Sequence, residues 1–378
     1  MTTTAITNDA LENRVKEALR RQLLKRAGET IPTTPEKPEV VLPKKPAMEL
    51  CPNQVLFSKL LGKRLPKHLV DFGVTVLPAS ALGEAVAAFV PKNDPAYNMQ
   101  LEEAHALLMA WEAGEKSLIT GPTGSGKTTL VAQCCALTNR PMVRVNMTGD
   151  TESTALFGSL TIEGGATVWK DGPVTEAVLQ GAVCCIDEWE VAPPEILFGM
   201  QWLFETDGKL FLKEKPAASS DRLIVPHENF RLVCLGNTVG QGDETGRYSG
   251  TNVQNNATID RFQTTIVLNY LPPAHEIKIV TDNCKGLVPS LIEKMVSFAN
   301  LVRTANQQND INLTMSPRTL VNWGRKALAF GDVQLSLRYA FLNKLRETDR
   351  KVAEEMFKKV FGTGKIQVYA DDPALVSV

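Results

Sequence analysis

The sequence predicts an α/β fold, a parallel β-sheet between layers of helices, preceded by a small N-terminal region and followed by a C-terminal α-helical lid. Three observations carry this. Five short apolar runs, SLIT (117–120), MVRVN (142–146), AVCCID (182–187), FRLVCLGN (230–237) and TTIVLNY (264–270), lack the alternation of a half-wet sheet. Such runs are strands buried on both faces, which belong to a parallel sheet covered by helices. Helical segments separate the runs, and after Leu271-Pro272-Pro273 the pattern turns helical and stays so.

The elements follow in chain order. Leu11, Val15, Leu19 and Leu23 recur every four residues behind Asn8 and Asp9, whose short side-chain oxygens accept free N–H groups at a helix start. Residues 1–27 therefore read as an amphipathic helix, which either packs on the chain's own body or docks to a partner. Residues 28–48 read as a linker, because Pro32, Pro35, Pro38, Pro43 and Pro46 forbid continuous helix or central strand. A small ordered region is expected over 49–92, from the alternation in FGVTVL and the apolar ALGEAVAAFV. The α/β domain spans 93–271. The lid spans 272–378, with SLIEKMVSFANLVRTAN, SPRTLVNWGRKALAF, QLSLRYAFLNKL and DRKVAEEMFKKVF as its helices.

Composition narrows the function. A chain of 378 residues, 43% hydrophobic and 22% charged, buries a full core and accommodates two or three domains. Its formal net charge of -1 creates no global field for a polyanion, and no basic stripe with interleaved aromatics is present, which disfavours a helicase or DNA-packaging motor. Seven cysteines at 51, 134, 135, 184, 185, 234 and 284 form neither a disulfide framework nor a zinc pattern. His68, His105, His227 and His275 show no metal spacing. The N-terminus carries Asp9, Glu12 and Glu17 with no apolar core, and no run is long enough to span a bilayer. A reducing cytoplasm, with neither export nor membrane insertion, is the expected setting.

The chemistry is concentrated in G-P-T-G-S-G-K-T, Gly121 to Thr128, which matches G-x-x-x-x-G-K-[ST] between the SLIT strand and the apolar helix TLVAQCCAL. Its glycines let successive N–H groups turn toward a β-phosphate, and the following helix adds its positive end. Gly121, Pro122, Thr123, Gly124, Ser125, Gly126, Lys127, Thr128 and Thr129 are thus the expected ATP-binding residues, with Lys127 on the β- and γ-phosphates and the Thr128 hydroxyl on Mg²⁺. AVCCIDEWE supplies the second half, resembling a Walker B element. Asp187 is the expected Mg²⁺ partner, and Glu188 the group that orients or deprotonates the attacking water. Glu190 is open between a third acidic role and the start of the next helix.

Asn237 ends the next strand, on the ligand side of a parallel sheet, and is the candidate to hold the water or the γ-phosphate. Arg318, in M-S-P-R-T-L, opens a lid helix that Ser316 caps and Pro317 begins. An arginine there opposes the helix dipole unless a phosphate compensates, so Arg318 is a candidate γ-phosphate contact from the lid. Arg261, in A-T-I-D-R-F, is the candidate arginine finger, acting on a neighbouring subunit's nucleotide.

Together these residues resemble the MoxR branch of AAA+ P-loop NTPases, and within it the ATPase subunits of aerobic cobaltochelatases. The resemblance runs from about Pro91 to Gly362 and is strongest in GNTVGQGDETGRYSGT, NATIDRF, LNYLP, MSPRT and FGDVQLSLRYAFLNK. It implies a hexameric ring and two added β-hairpins, LTIEGGATVWKDG and KLFLKEKPAASSDRLIVP. It also implies sensor roles for Asn237 and Arg318, and a von Willebrand A domain partner. Two functions follow as expectations: the ATP-hydrolysing motor of a metal chelatase, beside a large subunit that binds tetrapyrrole and cobalt, or a remodelling ATPase acting on a protein complex through a von Willebrand A adaptor.

Overall fold

A computed structural model describes residues 50–95, 97–205, 207–242 and 250–370. The helix expected over 1–27, the linker over 28–48 and part of the stretch GNTVGQGDETGRYSGT lie outside the described residues. Strand β1 (Gln54–Leu56) pairs antiparallel with β2 (Gly73–Thr75), and helix α1 (Phe57–Leu61) lies between them in sequence. Helix α2 (Leu101–Glu112) leads to β3 (Ser117–Thr120), α3 (Lys127–Leu137), β4 (Met142–Asn146), the hairpin β5 (Gly158–Glu163) and β6 (Ala166–Asp171), α4 (Pro173–Gln180) and β7 (Val183–Asp187). The short pair β8 (Leu210–Phe211) and β9 (Leu223–Ile224) precedes β10 (Arg231–Gly236) and β11 (Thr264–Val267). Helices α5 (Pro273–Asn283), α6 (Pro289–Gln307), α7 (Pro317–Phe330), α8 (Val333–Ala340) and α9 (Glu347–Phe361) complete the described chain.

The central sheet has five strands in the order β11-β3-β10-β7-β4, every pair parallel. Successive side chains of a strand leave opposite faces, and here both faces are covered. Leu118, Cys184, Ile186, Leu232 and Cys234 pack on one side against Val174, Ala177 and Val178 of α4. Ile119, Val183, Cys185, Val233, Leu235 and Ile266 pack on the other against Leu107, Leu108 and Trp111 of α2 and Leu130, Val131, Cys134 and Cys135 of α3. Neighbouring Cys184 and Cys185 therefore belong to different core faces. Their burial pushes the thiol of Cys184 up to about 12 and that of Cys185 above its ordinary value, so they act as small apolar residues. Phe57, Phe72 and Val74 join the second face, so the region from residue 50 onward packs onto the α/β core.

The helices after β11 build a second core around Leu291, Met295, Phe298, Val302, Trp323, Phe357 and Phe361. Trp323, wholly buried, donates its ring N–H to Val333 O at 3.0 Å and Ser336 Oγ at 3.1 Å, which satisfies the polar edge that burial would otherwise penalise. Two local differences from the sequence reading have physical causes. QLSLRYAFLNKL forms a helix only to Ala340, because Phe341 leaves helical geometry and turns with Leu342 into the core. Helix α5 was not among the helices expected, because few apolar residues mark it, Ile277 and Val280 being the ones that pack on the lid core. Among the described residues no helix is long and apolar enough to cross a membrane.

Candidate nucleotide site

β3 delivers the chain into a loop whose glycines take conformations closed to most side chains: Gly124 at φ 78° and Gly126 at φ 96° are left-handed. Gly126 is the N-cap of α3, and no acidic residue occupies the helix's first turn, so its positive end is uncompensated and suits an anion. The loop is enclosed by other segments. A Cβ on Gly121 would lie 2.0 Å from Leu268 O, and one on Gly124 would lie 2.3 Å from Ser316 Cβ. The lid's α7 thus begins against the loop. Ser316 caps that helix by accepting the Thr319 N–H at 3.2 Å.

Lys127 is buried, and its ammonium donates to Gly121 O at 2.7 Å, Pro122 O at 3.3 Å and Asn237 Oδ1 at 3.0 Å. Burial lowers its pKa, against the pull of Glu188, Glu190 and Asp187. At the end of β7, Asp187 accepts the Thr128 hydroxyl at 3.3 Å and the Arg144 Nε–H at 2.9 Å, and a second Arg144 nitrogen closes the ion pair. Glu188 follows in the left-handed region, φ 55°, uncommon for a residue with a Cβ and a recurrent mark of functional sites. Its Oε2 accepts the Asn237 Nδ2–H at 2.9 Å, and burial first, then the charge of Asp187, raises its pKa. One asparagine side chain therefore spans Lys127 and Glu188. Thr123 also donates its hydroxyl to Asn237 Oδ1, at 3.4 Å.

The remaining expected residues lie as follows. Ser125 Oγ is buried without a described partner, and Thr129 is exposed on the first turn of α3. Arg318 is exposed one residue into α7, behind the Ser316 cap that touches Gly124. Arg261 bonds Ala257 O at 2.6 Å and Glu205 Oε1 at 3.3 Å, outside the Lys127 cluster.

Several residues enter that the sequence reading missed. Arg144 comes from β4, where only the polar position within an apolar strand hinted at it. Tyr270 donates to Thr123 O at 3.1 Å and bonds Thr314 Oγ1 at 3.2 Å. The Arg303 guanidinium lies 4.1 Å over its ring and pairs with buried Glu276 at 2.8 Å. Tyr270, Arg303 and Thr314 line, with Gly121, Pro122 and Asn237, a cavity of about 800 Å³ between loop, β10 end and lid.

This donor set fits magnesium and triphosphate. The Thr128 hydroxyl and Asp187 carboxylate are hard oxygens 3.3 Å apart, suited to Mg²⁺ rather than a softer metal. The glycine loop, the helix end and Lys127 suit phosphate.

Family models match two stretches of the chain: the AAA domain of the dynein-related subfamily at residues 116–262 and the CbbQ/NirQ/NorQ C-terminal domain at 276–361. The aerobic cobaltochelatase subunit CobS of Sinorhizobium sp is 35% identical over 294 residues, covering 76% of this chain and 86% of that protein. The denitrification regulatory protein NirQ of Stutzerimonas stutzeri is 28% identical over 245 residues, covering 65% and 83%. The mouse von Willebrand factor A domain-containing protein 8 is 27% identical over 224 residues, 57% of this chain and 11% of that protein.

Proposed function

The chain belongs to the MoxR branch of the AAA+ ATPases, close to the CobS subunits of aerobic cobaltochelatase, and we propose that it is the ring-forming motor of a chelatase-type assembly. The observation that supports the chemistry is the Asn237 side chain joined at once to Lys127 and Glu188. On this reading Lys127 and the loop N–H groups bind the phosphates, and Thr128 and Asp187 hold Mg²⁺, which when bound neutralises charge on the phosphoryl oxygens. Glu188, kept in place by Asn237, takes the proton of the attacking water. Arg318 reaches the nucleotide from the lid, and Arg261 reaches that of the neighbouring subunit.

Hydrolysis becomes work only through a partner bound differently in the two nucleotide states. That partner is a von Willebrand A domain protein, and the metal and tetrapyrrole belong to a large chelatase subunit. Similarity to NirQ, and the NirQ-type C-terminal match, favour a second reading, a remodelling ATPase for a protein complex unrelated to cobalamin. Co-purification from the native host, followed by reconstitution with Co²⁺ and a porphyrinoid, separates the two. Recovery of a large chelatase subunit with ATP-dependent metal insertion is the expected result. A von Willebrand A protein alone, with no insertion, overturns the chelatase reading and leaves the remodeller.

A further inference from the structure

We propose that Glu190 is a positioning residue that sets Asn237 against Lys127 and Glu188 and ties that placement to the segment around Asn252 and Gln254, an inference that rests on the nucleotide-site reading above. Glu190 lies on the short 3-10 turn Trp189–Val191 and is fully buried. Its Oε1 accepts two backbone N–H groups, those of Asn237 and, at 3.2 Å, Thr238. Both lie just past the end of β10, where the parallel ladder no longer supplies acceptors and a donor must find another partner. The carboxylate therefore fixes the backbone from which the Asn237 side chain reaches Glu188 at 2.9 Å and Lys127 at 3.0 Å.

The main chain of the same residue holds the other end of the segment. Glu190 O accepts the Asn252 N–H at 2.8 Å and the side-chain amide of buried Gln254 at 3.1 Å, while Gln254 N–H reaches back to Gly240 O at 2.7 Å. Asn255, next in sequence, caps the turn Asn256–Ile259 that precedes Arg261. One residue thus joins the Asn237 backbone to the approach of the candidate finger.

The arrangement is costly for a purely structural element. Glu190 Oε2 is buried with no partner among the described residues, and burial raises the carboxyl's pKa although the N–H donors pull the other way. A neutral amide would accept the same two N–H groups without the desolvation penalty of a buried charge. Glycine at 236 makes room for this turn, since a Cβ there would lie 2.4 Å from Glu190 Oε2 and 2.7 Å from Trp189 Nε1.

The test is steady-state hydrolysis and fluorescent-ATP binding on the assembled full chain. Glu190→Ala should lower kcat roughly ten- to a hundredfold, the scale of hydrogen bonds to a charged group, with ATP affinity changed less than about threefold. Glu190→Gln keeps one acceptor and the shape, and should recover most of the rate. In an Asn237→Ala background the same Glu190→Ala change should cost little more, because its route to the reaction is already removed. Wild-type kcat in Glu190→Ala, or a full multiplicative loss in the double variant, overturns the proposal. Should Glu190→Ala not fold, Glu190→Asp, one methylene shorter, withdraws the carboxyl from the Asn237 and Thr238 N–H groups, and an unchanged kcat there is equally decisive against it. Lys127→Ala and Glu188→Gln run alongside: normal binding in the first and normal turnover in the second reject the site itself, whereas expected losses there with an unaffected Glu190→Ala reject only this inference.

Discussion

Asn237 has a short side chain with one acceptor and two donor hydrogens, and its surroundings use both ends: the oxygen faces Lys127 and the amide faces Glu188. Glu188 is thereby held beside the lysine by a neutral group, and its own left-handed backbone sets the direction in which it points. Glu188→Gln keeps length and shape but has no carboxylate to accept a proton. We expect it to bind ATP with near-normal affinity in a calorimetric titration while turnover falls by roughly 10²–10⁴, the usual share of a general base. Normal turnover would move the role elsewhere. Lys127, Thr128, Asp187 and Glu188 can be read from sequence because one loop and one strand end carry them in fixed spacing. The contact of Arg144 with Asp187 cannot be read that way, since it depends on β4 lying beside β7 with Asn146 opposite Asp187. The same holds for Glu190: its spacing from Asp187 fits a surface helix start as well as a buried anchor, and only its complete burial separates them.

At the scale of elements, the five sheet strands are legible as short apolar runs, but burial on both faces holds for the inner strands β3, β7 and β10 and not for the edge strands β4 and β11, where Arg144 and Val267 are exposed. Hairpin β5–β6 follows from the family resemblance rather than from a local pattern. The break after α8 is not legible, because no breaker residue marks it and the burial of Phe341 and Leu342 decides it. Nor does any local pattern reveal that α7 starts against the phosphate loop, a contact between segments nearly two hundred residues apart in sequence. Gly124 is where that contact leaves no room: its φ is 78° and a Cβ would lie 2.3 Å from Ser316 Cβ. Gly124→Ala should therefore cost about 1–3 kcal/mol through backbone strain alone, lower the melting temperature, and weaken ATP binding because the loop must shift away from the lid. Ser316→Gly in the same chain removes the clash but not the strain, so partial recovery is expected in thermal melts and calorimetry. Complete recovery would mean that the lid contact, and not the left-handed backbone, made up the whole cost.

At the scale of the whole molecule, the described residues gather Lys127, Asp187, Glu188 and Asn237 at one end of the sheet, while Arg261 is turned toward Ala257 and Glu205. The Arg261–Glu205 contact is 3.3 Å long, with the two side chains 29% and 55% exposed, and an ion pair that open to water contributes little. The Nη2 edge of the guanidinium can therefore exchange that weak partner for a phosphate, which bonds more strongly to it, while Nη1 is held by Ala257 O at 2.6 Å. Arg261→Ala should keep ATP binding yet lose hydrolysis by a factor on the order of a thousand or more, the scale of arginine fingers. Mixing decides between cis and trans action. A Glu188→Gln subunit retains its arginine and an Arg261→Ala subunit retains its glutamate, so a ring containing both has some interfaces with a complete set. Recovery of ATPase activity on mixing two inactive proteins, rising with the fraction of mixed rings seen by native mass spectrometry, is the expected outcome. Mixed rings that form and stay inactive would place Arg261 within its own subunit's chemistry or outside it altogether.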